Sequence, residues 1–257
     1  MRADPMRQFQ VERVLTLPKV AGLDLSITNT TLAMFAAAGL ICLFFAVAFN
    51  RAAVVPGRMQ TVGEMMFGLI DDLSVSIIGH AARPFFPFVF SLFAFVMMMN
   101  LLGMTVIVPT ATSQLIVTAT LAVLTILIVI AVGFARNGLG FFKLFVPSGV
   151  PWWLLPLIVP IEVLSFLIRP LTLALRLFGN MLGGHVVLNI FGYFVVSLAV
   201  LALGGGVASL AWLVSALSLT SVVALIALEF VVAFLQAFVF AVLACVYLND
   251  VVNLHSH

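Results

Sequence analysis

Seven side chains between Glu162 and His185 are out of place in the stretch that holds them. The run EVLSFLIRPLTLALRLFGNMLGGH is apolar enough for lipid, yet it contains Glu162, Ser165, Arg169, Thr172, Arg176, Asn180 and His185. Ionisable groups at membrane depth are costly, so they read first as functional. At about 100° per residue, the first six fall within an arc of roughly 80° on one helix face. His185 lies roughly 140° round from Glu162. A guanidinium stays protonated at physiological pH, so Arg176 supplies a fixed positive charge and carries no proton. An imidazole passes protons through its two nitrogens, which suits His185 to relay work. The bland readings are a snorkelling Arg169 beside a kink at Pro170 and, for His185 alone, a buried hydrogen-bonded histidine. Downstream, Ser218, Glu229, Gln236 and Tyr247 fall within an arc of ~20° on a second apolar helix. Glu229 is the only carboxylate between Glu162 and Asp250.

Two long helices are needed to position these groups. The chain is apolar for about 50 residues from Trp152 to Leu203, and for about 40 from Val207 to Leu248, where about 20 cross a bilayer. Pro156, Pro160, Pro170, Gly183-Gly184 and Gly192 offer kinks or bends in the first segment, and the second has no interior Gly or Pro. Neither contains a polar turn, so the spacing predicts two strongly tilted helices joined by a hairpin at Gly204-Gly205-Gly206. Antiparallel pairing about Gly205 brings His185 and Glu229 to similar depth, and likewise Arg176 and Gln236. A proton relay between His185 and Glu229 follows as the expectation.

The rest of the chain reads as support. With 257 residues, 64% of them hydrophobic and 8% charged, it fits one polytopic α-helical membrane domain over residues 1–257. The net charge of +2 without a basic run gives no sign of nucleic acid. Cys42 and Cys245 lie far apart in apolar stretches, which suggests packing and neither a disulfide nor a metal site. Residues 1–28 read as an extramembrane tail, without the pattern of a cleaved signal, and Asn29-Thr30-Thr31 as a helix N-cap. Residues 29–150 read as three spans plus an interfacial helix. The spans fall near Leu32–Phe49, Pro84–Val108 and Leu115–Phe134. Arg58–His80 mixes Glu64, Asp71, Asp72 and His80 with apolar residues, as an amphipathic helix at the interface does. Residues 151–250 form the hairpin. Arg51, Arg58, Arg83, Arg136 and Lys143 crowd loops on one side, which places the C-terminus in the cytoplasm and the N-terminus outside.

The run LALRLFGNMLGGH, with Glu162 upstream and FLQAFVFAVLACVYL downstream, resembles the subunit a family of F-type ATP synthases. The resemblance covers most of the chain and is strongest over its last hundred or so residues. It implies a tilted hairpin against a c-ring, a non-catalytic proton-channel role, no cofactor, and peripheral-stalk b subunits as further partners. It also implies an indispensable Arg176, an inlet path through Asn180, His185, Glu229 and Gln236, and an outlet near Glu162 and Ser165. Both terminal runs resemble α-proteobacterial members, implying a bacterial inner membrane ahead of a mitochondrial one. A stand-alone ion-coupled transporter predicts internal repeats with corresponding broken helices. An intramembrane hydrolase predicts a nucleophile or a cluster such as HExxH. Neither pattern is present. A purely structural scaffold does not need Arg176 and Glu229 in lipid.

Overall fold

The computed structural model describes residues 13–15, 26–50, 53–105, 110–146, 151–202 and 211–253. Six α-helices follow in order: α1 (Asn29–Phe49), α2 (Arg58–Ile78), α3 (Phe86–Gly103), α4 (Leu115–Asn137), α5 (Leu155–Ala202) and α6 (Ala211–Val252). Five segments are long and apolar enough to cross a membrane, namely Asn29–Phe49, Phe86–Gly103, Leu115–Phe145, Trp152–Ala202 and Trp212–Val252. The protein is an all-α polytopic membrane fold, with α2 outside that set. Two short strands, β1 (Arg13–Leu15) and β2 (Ile27–Thr28), pair antiparallel ahead of α1, which the sequence did not signal.

The cap of α1 is Thr28, one residue before the expected run. Its extended backbone lets the hydroxyl accept the Thr31 N–H at 3.3 Å, while Asn29 Oδ1 takes the Thr30 N–H. The α2 helix buries one stripe, Gln60, Gly63, Ile70, Ser74 and Ile78, and leaves Glu64 and Asp72 exposed. It stops at Gly79, whose φ of 79° lets its N–H turn back to the Val75 carbonyl.

The second crossing is shorter than its apolar run. The α3 helix ends at Gly103, where a Cβ would stand 3.1 Å from Thr110 Cγ2, so the chain doubles back against itself. The uncharged segment that follows is packed inside the fold, as a 3₁₀ turn over Ala111–Ser113. It tolerates burial because Thr110 and Ser113 satisfy one another, hydroxyl to hydroxyl and Ser113 Oγ to Thr110 O at 2.7 Å. The α4 helix runs past the expected end to Asn137, where Gly138 at φ 52° caps it and a 3₁₀ segment over Gly138–Phe145 folds back. Arg136 rests over the Phe85 ring, 5.1 Å from its centroid.

The expected hairpin helices are single elements of 48 and 42 residues, and α5 runs through Pro160 and Pro170 without a break. Membrane helices tolerate such prolines because neighbouring groups serve the freed carbonyls. At 1.5 Å per residue they are ~72 Å and ~63 Å long against a ~30 Å hydrocarbon core, so an oblique course is required. The α6 helix is central: it touches α2, α3, α4 and α5. Its buried face carries Ala233, Ala237, Ala241 and Ala244, small enough for close approach. Rings of Phe134, Phe141, Phe145, Phe166 and Tyr247 link the end of α4, the start of α5 and the end of α6.

Candidate functional site

The site is built where α5 and α6 run antiparallel. Three contacts define their register: Ser215 Oγ donates to the Val195 carbonyl at 3.0 Å, His185 Nε2 lies 3.6 Å from Glu229 Oε1, and the Phe166 and Tyr247 rings meet edge-on at 5.9 Å. Each pair is centred on 205 to 207, in line with the expected turn at 204–206, which itself lies outside the described residues. The pairing holds over most of both helices.

His185 and Glu229 are both buried, 8% and 6% exposed. Their 3.6 Å approach is ion-pair range but longer than a hydrogen bond. Gly184 makes it possible: a Cβ there would stand 2.7 Å from Glu229 Oε1. The sequence suggested a bend at Gly183-Gly184, but α5 continues through both, and the glycine at 184 serves the carboxylate. Neither Glu229 oxygen has a hydrogen-bond partner among the described residues. The same is true of Gln236 Nε2, Asn100 Oδ1, Thr112 Oγ1 and the Tyr247 hydroxyl. Asn100, on α3 and fully buried, donates Nδ2–H to the Ala233 carbonyl at 3.1 Å. Ala233 is one helical turn from both Glu229 and Gln236, so the unpartnered Asn100 oxygen belongs to the same region.

The remaining candidates face elsewhere. Arg169, Thr172, Arg176 and Asn180 are exposed along one side of α5, and Glu162 and Ser165 are half-buried on the same seam. Arg176 and His185, nine residues apart, point to opposite sides of the helix at about 180°. Arg176 and Gln236 thus share a depth but not a face, and Asn180 does not join His185 on the buried side. Nothing stands within 4 Å of a Cβ built at Gly179 or Gly183, which follow Arg176 on its open face. Among the described residues no three His, Cys, Asp or Glu side chains gather as a metal-binding set.

Sequence reasoning missed Asn100 and Gly184 as members of this region. The signal for Asn100 was available: it is a lone amide in an apolar span. Tyr247 was placed on the right helix face but given no role. Gly184 had no signal, because its neighbour Glu229 comes from a distant part of the chain.

The family model for the ATP synthase A chain matches residues 31–249. An ATP synthase subunit a from Hyphomonas neptunium is 48% identical over 254 residues, covering 99% of this chain and 98% of that protein. The subunit a of Rhizobium johnstonii is 47% identical over 260 residues, covering both chains fully. That of Rhodopseudomonas palustris strain TIE-1 is 44% identical over 253 residues, covering 98% and 99%. With the matched region containing the buried pair, the exposed Arg176 and all but the outermost residues of the five crossing segments, the chain belongs to the ATP synthase A chain family.

Proposed function

We propose that this chain is the proton-conducting stator subunit of an F-type ATP synthase in a bacterial inner membrane, without catalysis of its own. Protons reach the buried pair from the outer side by a water-filled inlet through Gln236, Glu229 and His185. They then pass to a carboxylate on a c-ring lying against the exposed face of α5, with Asn180 at the point of transfer. The neutralised carboxylate turns into lipid. It later meets an outlet near Glu162 and Ser165, where the proton leaves inward. Arg176 stands between the paths, keeps the facing carboxylate ionised and blocks direct leak. Gly179 and Gly183 leave room for a partner helix beside it. The driving energy is that of a charge crossing the membrane field, about 2.3 kcal/mol per 100 mV. Peripheral-stalk b subunits hold the chain against the rotor.

One observation carries this reading. Glu229 and Gln236 bury side-chain atoms without hydrogen-bond partners among the described residues, each costing about 1–3 kcal/mol, on the face of α6 that meets the buried His185, while a permanent cation lies on the opposite, exposed face of α5. A packing core has no use for that arrangement, and a hydrated proton path does. The test is proton flux through membranes holding the assembled complex. Arg176→Ala abolishes coupled synthesis while passive flux persists. Glu229→Gln lowers both by about a hundredfold, the usual scale for a removed acid–base group. Normal coupling in both variants would sink the proposal.

A further inference from the structure

The α6 helix is tied lengthwise by three side-chain amides. Asn100 of α3 donates to the Ala233 carbonyl at 3.1 Å. Asn137, the last residue of α4, donates to the Val251 carbonyl at 2.7 Å. Asn253, just beyond α6, donates to the carbonyl of Ile78 at the end of α2 at 3.2 Å. The last two bonds lie together at one end of α6, about 33 Å along the helix from Glu229. Neither touches the candidate proton path.

The packing surface between those ends mixes small side chains with the buried Phe240, Tyr247 and Leu248. Ala233, Ala237, Ala241 and Ala244 recur every three or four residues, each at most 1% exposed. The small residues let helices approach, and the large side chains among them, with the edge contact of Phe166 and Tyr247, set the approximate register. Lipid tails are as apolar as the helix, so no hydrophobic force selects one register. The site is sensitive to register nonetheless. A slip of one turn moves Glu229 by about 5.4 Å, out of reach of His185 and off Gly184. Directional bonds to fixed neighbours add to this packing in preventing it. The end of α6 also meets α4 closely, a Cβ at Gly133 standing 2.8 Å from Val251 Cγ1.

We propose that Asn137 and Asn253 are positioning residues, which lock the far end of α6 to α4 and α2 and so hold Glu229 opposite Gly184 and His185. The consequence for proton transfer rests on the function proposed above; the lock itself does not.

The test reads the register directly. In the assembled complex, with Cys42→Ala and Cys245→Ala as background, Ser215→Cys is combined with a second cysteine at Phe191, Val195 or Ala199, and disulfide yield is measured under mild oxidation. With both asparagines intact, the yield is greatest for position 195. In Asn137→Leu with Asn253→Leu it moves towards 191 or 199, by about threefold for each amide lost. Asn137→Asp keeps the shape but lacks the N–H, so it shifts the yield in the same direction, and Asn137→Gln recovers part of the loss. If the double leucine variant leaves no chain in the membrane, Asn137→Asp alone decides. An unchanged yield pattern overturns the lock. A shifted register with unaltered proton flux upholds the lock and counts against His185 and Glu229 as the path.

Discussion

At the scale of single residues, the centre of this protein is a carboxylate lying where a side chain at position 184 would have to be. Gly184→Ala therefore forces Glu229 to turn away or the two helices to part, a strain of about 1–3 kcal/mol. The expected outcome is a loss of proton flux of about tenfold or more. Gly192→Ala is the control: nothing stands within 4 Å of its Cβ, so flux holds and the helix gains about 1 kcal/mol of propensity. Equal losses in the two would mean that the contact at 184 is incidental. The approach of His185 to Glu229 was legible from the sequence because an ionisable group in apolar surroundings announces itself. Gly184 was not, because its partner is on another helix and the contact exists only once the register is set.

At the scale of elements, the hairpin was legible in both length and pairing. Two long apolar runs without a polar break force oblique helices, and counting outward from the glycines brought 185 to 229. What the sequence hid was where neighbouring elements stop. Pro84–Val108 carries no charge, yet α3 ends at Gly103, where Thr110 packs back on it, a contact that the hydrophobic pattern does not record. The start of α1 was missed by one residue because the cap is also the end of a strand. The junction of α4 and α6 gives a prediction of this kind. At Gly133 a Cβ would meet Phe141 Cδ2 at 2.5 Å and Val251 Cγ1 at 2.8 Å. Neither the ring nor the helix end has room to yield, so Gly133→Ala costs about 1–3 kcal/mol. The measurement is the amount of chain recovered with the complex after mild heating of membranes. Recovery equal to wild type would show that the junction is looser than its packing implies.

At the scale of the whole molecule, the bundle has two unlike sides. One side of α5 is packed against α6, which in turn is held by α2, α3 and α4. The other side presents Arg176 on an open, largely aliphatic surface. The common centre of the three α5–α6 contacts has a consequence for how such a chain changes over generations. Substitutions away from the paired residues leave the register of the two helices intact, but insertions and deletions do not. One added residue between 196 and 202 leaves His185 and Glu229 each in place on its own helix, yet offsets the two partners by about 1.5 Å and 100°. An alanine inserted after Val196 is thus expected to abolish proton flux while the chain still reaches the membrane. Two compensating insertions, one before and one after the turn, displace both arms alike and restore part of it. Outside the residues that meet across it, this hairpin is held more tightly in length than in spelling.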